Sequence, residues 1–128
     1  MRVLLDTQII IWVATDDPRL SPAVRALITD AETRVVFSVV SLWEITIKAA
    51  LDRRDFRHSA AAIRGGALQA NWEELGVVGE HALAVGDLPT VHGDPFDRLL
   101  VAQARVEGMT LLSADRTLWR YGDPVRRA

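Results

Sequence analysis

The sequence contains no cysteine. That removes disulfides, thiolate zinc sites and cysteine nucleophiles, and it fits a reducing compartment. A long uncharged apolar run is also missing. Asp6 interrupts the apolar N-terminus "MRVLLDTQIIIWVATDD", and the uncharged stretch from Thr7 to Thr15 is too short to span a bilayer. No small-residue cleavage site follows, so the expected location is cytoplasmic, away from membranes. Nor is there an excess of positive charge. With a formal net charge of −2, no global basic field announces a nucleic-acid partner, although a local patch is compatible with it. Repeats, low-complexity tracts and linkers are absent, so residues 1–128 read as one domain. What remains is 49% hydrophobic and 25% charged residues, the composition of a globular chain with a real core.

Short apolar runs read as buried strands: "RVLL" (2–5), "RVVFS" (34–38), "EELGVV" (73–78) and "MTLLS" (109–113). Helical patterns separate them. "TQIIIWVA" (7–14) turns helical after Asp6. Ser21 caps a helix with Pro22 at its first position, running to about Ala31. In "SLWEITIKAALDR" (41–53), Ser41 and Glu44 have the spacing of a capping box. "HSAAAIRGGALQANW" (58–72) is helical, with Gly65 and Gly66 weakening or breaking it. "EHALAVGDLP" (80–89) is a short helix closed by Gly86 and Pro89. "HGDPFDRLLVAQA" opens a helix that ends near Gly108, and another short helix follows Asp115. The expectation is an α/β fold, a short parallel sheet with helices on both faces. Such sheets bind ligands beyond the carboxyl ends of their strands.

Asp6 and Asp115 fall directly after strands, and Glu44 and Asp97 fall in the expected first turns of helices. Each acid has a local explanation. Asp94 is a good N-cap before Pro95, Asp97 suits the helix dipole, and Glu44 serves a capping box and precedes Lys48 by four. Asp6 and Asp115 could tie down loop amides. Converging on one crevice, the four would repel and raise one another's pKa, which gives a fold nothing. A divalent cation resolves the conflict, and an all-oxygen donor set suits Mg²⁺ or Mn²⁺. The chemistry that follows is metal-dependent hydrolysis of a phosphate ester.

"LLDT", "SLWEITIK", "DPFDRLLVAQA" and "LLSAD", in this order, resemble the motifs of PIN-domain ribonucleases, above all the VapC-type toxins of bacterial toxin–antitoxin pairs. "LPTVHGDPFDR" resembles a run typical of one VapC subgroup. The resemblance implies a PIN fold and Mg²⁺- or Mn²⁺-dependent cleavage of RNA. It assigns Asp6, Glu44, Asp97 and Asp115 as catalytic, metal-binding acids, with Asp6 and Asp97 as the principal ligands. Thr7 and Ser113 match pocket hydroxyls, and Asp94 a supporting acid. It further implies a small antitoxin partner and a homodimer. Residues 53–80 diverge.

Of the remaining residues, His92 reads as a loop residue beside the site. Lys48, Arg98, Arg105 and Arg116 are candidates for RNA phosphates. "IIIWV" (9–13) is apolar all round, which fits a buried helix or one side facing a partner, with Trp12 as the anchor. Trp43, Trp72 and Trp119 read as core or rim. Two other functions compete. One is a catalytically silent binding module. The other is an Asp6-nucleophile phosphatase, which Gln8 disfavours by occupying the second position of Asp-x-Asp.

Overall fold

Arg2–Leu5 forms strand β1, and its last three side chains are fully buried. A strand covered on both faces must be apolar at every position, which is the situation in a parallel sheet sandwiched by helices. In the computed structural model, which describes residues 1–51, 58–91 and 93–128, β1 is the central strand. β2 (Arg34–Ser38) and β3 (Glu73–Leu75) continue the sheet on one side. β4 (Thr110–Ser113) and β5 (Val125–Arg127) continue it on the other. The order is β3-β2-β1-β4-β5, and every pairing is parallel. The helices are α1 (Thr7–Ala14), α2 (Pro22–Thr29), α3 (Val39–Ala50), α4 (Ala60–Gln69), α5 (Gly79–Ala84), α6 (Pro95–Glu107) and α7 (Arg116–Trp119). This is the expected α/β fold.

The strand period of two sends alternate side chains to opposite faces. Val3, Leu5, Val35, Phe37 and Leu112 pack under α1 to α4 with Ile9, Ile10, Ile45 and Ile63. Leu4, Val36 and Leu111 pack under α6 and α7 with Leu100, Val101 and Leu118. The three isoleucines of α1 are buried, whereas Trp12 and Val13 are only partly covered. Among the described residues, no helix is long and apolar enough to cross a membrane.

Several local expectations need correction. α3 begins at Val39 and not after Ser41, because Ser38 at the end of β2 caps it by accepting the Val40 N–H at 3.0 Å. Glu44 therefore lies in the second turn and closes no capping box. The expected end of this helix at residue 53 lies outside the described residues. α4 passes unbroken through Gly65 and Gly66, since Ile63 and Ala67 anchor it to the core. The third strand stops at Leu75: Gly76 and Val78 give their backbone groups to buried side chains instead. α2 ends at Thr29. The 80–89 segment is α5 from Gly79, continued by a single 3₁₀ turn over Val85–Asp87. β5 was not anticipated.

The chain runs outward from β1 through β2 to β3, then returns to place β4 on the other side of β1. The topological switch point thus lies between the carboxyl ends of β1 and β4, where an open α/β sheet leaves a crevice.

Candidate metal centre

The crevice is acidic. Asp6 follows β1, caps α1 by accepting the Ile9 N–H at 2.9 Å, and is only 4% exposed. Asp115 follows β4 and caps α7 through the Thr117 N–H at 2.8 Å. Asp94 caps α6, accepting from Phe96 N at 2.8 Å and from Asp97 N at 3.3 Å, with Pro95 at the first helical position. This puts Asp97 in the first turn, as expected. Glu44 arrives from α3. All five acids line one cavity of about 210 Å³, together with Thr7, Gln8, Ile11 and Lys48. A larger groove of about 760 Å³ lies beside the N-terminal ends of β2 and β3, lined by Val13, Ile28, Val35 and Trp72 among others. The smaller cavity is the candidate because of its chemistry, not its size.

A buried hydroxyl system holds Glu44. Thr7 Oγ1 donates to Glu44 Oε1 at 2.7 Å and lies 2.9 Å from Ser41 Oγ. Lys48 Nζ donates to Glu44 Oε2 at 2.6 Å, one turn along α3. Behind the pocket a second polar chain connects the helices that carry Glu44 and Asp97. Ser38, the cap of α3, donates to Gln103 Oε1 of α6 at 2.6 Å. Gln103 Nε2 faces the Gly76 carbonyl and His81 Nδ1. The Val78 N–H also points at Nδ1, so Nδ1 must be the acceptor. The proton then sits on Nε2, which donates to Glu107 Oε2 at 2.8 Å. His81 and Gln103 are fully covered.

Burial, and behind it crowding, shows in the acidities. Burial raises Asp6 from 3.8 to about 6; the charges of Asp115 and Glu44 add to this, while Ser113 and the Ile9 amide oppose it. Burial likewise raises Asp97 to about 8, with Asp94 the largest charge contribution and Glu44, Asp6 and Asp115 behind it. Asp94 also lines this pocket. Among the described residues, no three His, Asp or Glu side chains are already arranged to hold a metal ion. The donor set nevertheless fits one. Five carboxylates converge, two of them disfavour their charge, and every donor is oxygen, which is hard-cation chemistry.

A profile for the PIN domain matches residues 3–124. The chain belongs to the PIN-domain family. No curated protein sequence matches it significantly. Solved structures do. A chain of VapBC2 from Rickettsia felis, bound to a DNA fragment from its promoter, superposes with a TM-score of 0.72 at 15% identity, covering 100% of this chain and 98% of that one. VapBC-1 from nontypeable Haemophilus influenzae gives 0.67 at 20% identity, with 100% and 97% covered. A toxin–antitoxin complex from Klebsiella pneumoniae gives 0.66 at 17% identity, with 97% and 95% covered. At these identities the likeness is one of fold.

The candidate cations of this PIN domain sort themselves by place. Lys48 lines the pocket, and Arg116 directly follows Asp115. Arg98 turns away, donating to the carbonyls of Pro89 and Val85 and to Tyr121 Oη. Arg105, eight residues beyond Asp97 and about 12 Å further along α6, borders a hollow with Gly108, Thr110 and Pro124 instead. His92 lies outside the described residues. Trp43 is 57% exposed and meets Phe96 edge-on at 5.0 Å, so it is a rim residue rather than a core one.

Proposed function

We propose that this PIN domain is a Mg²⁺- or Mn²⁺-dependent endoribonuclease and the VapC-type toxin of a toxin–antitoxin pair. The observation that carries the catalytic half is the cavity at the switch point, where Asp6, Glu44, Asp94, Asp97 and Asp115 meet with Asp6 and Asp97 raised well above the ordinary carboxyl range. Asp6 and Asp97 would hold the cation, with Glu44 and Asp115 completing the ligand field or orienting water. When bound, a divalent cation supplies positive charge against the phosphodiester oxygens and acidifies water. The chain's own groups prepare that site. The Asp97 carboxyl keeps its proton near neutral pH until a stronger partner arrives. Thr7 and Lys48 fix both oxygens of Glu44. Ile11 keeps one wall apolar, which strengthens the field inside.

The toxin half rests on similarity. The solved structures described above are VapBC and toxin–antitoxin assemblies, which supports a small antitoxin as partner. A homodimer is part of the same reading. The test is cleavage of RNA by the purified chain, with and without chelator, beside growth on expression with and without the antitoxin. Cleavage that is lost in chelator, and arrest that the antitoxin relieves, are expected. Activity that persists in excess chelator, or is confined to small phosphomonoesters, overturns the nuclease reading. Trp12→Ala should weaken the antitoxin complex; unchanged affinity would place Trp12 in the fold alone.

A further inference from the structure

The acidic pocket by itself repels its proposed substrate. Five carboxylates line it against one ammonium, Lys48, which is already bonded to Glu44. A polyanion brought there needs cations outside the pocket to hold it. Among the described residues, five other arginines are engaged elsewhere. Arg2, Arg19, Arg25 and Arg64 pair with Glu73, Asp17, Asp16 and Glu74. Arg98 is tied to backbone carbonyls, and Arg105 lies at the far end of α6.

β5 supplies what is missing. Its register pairs Arg127 with Ser113, the last residue of β4 and two before Asp115, so Arg127 stands at the carboxyl end of the sheet, one strand over from the strand end that Asp115 follows. Parallel pairing also turns both side chains to the same face, which is the face α7 covers. There the Arg127 guanidinium lies 4.7 Å from the Trp119 ring centroid. Trp119 is itself pinned, its Nε1 donating to the Ser113 carbonyl at 2.6 Å. Arg127 is exposed and pairs with no carboxylate among the described residues. From 116 to 127 the chain carries Arg116, Arg120, Arg126 and Arg127 against Asp123 alone.

We propose that Arg127, held against Trp119, binds a backbone phosphate of single-stranded RNA next to the one that is cut. This rests on the nuclease reading. Cations interleaved with an aromatic face suit a flexible single strand. A guanidinium held over an aromatic ring still has N–H groups to offer a phosphate. Trp119 acts as a positioning residue.

The experiment titrates a fluorescent single-stranded RNA oligonucleotide against the full chain carrying Asp97→Asn, which prevents cutting, over a series of salt concentrations. Arg127→Ala and Arg127→Lys are added in turn, and the same substitutions are assayed for cleavage without Asp97→Asn. Thermal unfolding confirms that each variant folds; Arg127 is an exposed edge residue. For Arg127→Ala, the slope of log affinity against log salt should shrink by about 0.7, one phosphate contact on a single strand. Binding should weaken several-fold, and kcat/KM should fall with kcat nearly kept. Arg127→Lys should recover the slope, because the charge remains. An unchanged slope in Arg127→Ala, with wild type still cleaving RNA, overturns this inference and leaves the nuclease reading standing. A wild type that neither cleaves nor binds RNA overturns both. Weakened binding of poly-glutamate with RNA binding unchanged assigns the patch to an acidic protein partner and overturns the RNA assignment.

Discussion

Thr7, the first residue of α1, holds the Glu44 carboxylate of α3 at 2.7 Å, and both side chains are buried. One hydroxyl thus docks two helices and aims an acid into the pocket. Thr7→Val keeps the shape and removes the bond. It should cost roughly 1–3 kcal/mol in chemical denaturation, because the buried Glu44 carboxylate loses a donor. RNA cleavage should fall with it. Full activity at full stability would show that Lys48 alone suffices to place Glu44.

The raised acidities predict how stability depends on pH in metal-free protein. The folded values, about 6 for Asp6 and about 8 for Asp97, lie above the ordinary 3.8. Below 3.8 both states are protonated and nothing is lost. From there upward the unfolded chain releases protons that the folded chain retains, so stability falls as pH rises until both folded carboxyls are ionised, above pH 8. Unfolding at a series of pH values in chelator should show this decline. Asp97→Asn should flatten its upper part; an identical decline in Asp97→Asn would refute the burial of that charge.

Metal should reverse the decline. At a hundredfold excess over the dissociation constant, Mg²⁺ or Mn²⁺ should add about 2.7 kcal/mol of stability. Affinity should rise with pH, since ligand and proton compete for the same carboxylates. Asp97→Asn should be at least as stable as wild type in chelator, and it should lose most of the metal-induced gain. Equal gains in wild type and Asp97→Asn would reduce the "DPFD" acids to helix capping.

Much of this was legible in the sequence, for a physical reason. A buried parallel strand has no polar residue until it ends, so an acid directly after an apolar run marks a carboxyl edge, as at Asp6 and Asp115. Asp94 and Asp97 were legible because Pro95 fixes where α6 begins. Glu44 was singled out on partly mistaken grounds. "FSVVSLWE" holds two serines three residues apart, and only the packing of Val40 and the bond from Ser38 to Gln103 decide which one caps α3. β5 was missed because "VRR" is short and polar, with two exposed arginines, and nothing local distinguishes such a strand from a tail. What makes it a strand is the partner β4.

Gln103→Leu tests the connection behind the pocket. It leaves the Ser38 hydroxyl and the Gly76 carbonyl without their partner, at roughly 1–3 kcal/mol for each buried group. Because the bond joins the helices of Glu44 and Asp97, metal affinity should fall as well. A stability loss with unchanged metal affinity would confine Gln103 to packing.

Arg98→Ala separates architecture from substrate. Its guanidinium ties α6 to the 85–89 turn and to Tyr121, so its loss should cost about 1.5–3 kcal/mol. The salt dependence of RNA binding should stay the same. A reduced slope would return Arg98 to the substrate.

The sheet's two outer strands carry opposite charges: Glu73 and Glu74 on β3, Arg126 and Arg127 on β5. Such edges, if long and flat, would let one molecule's β5 zip onto the β3 of the next, a head-to-tail join that never closes and grows into a filament. Two features oppose that here. Each edge is three residues long, and the β3 acids are already occupied by Arg2 and Arg64. Loss of those two arginines leaves strand length as the remaining guard against polymerisation.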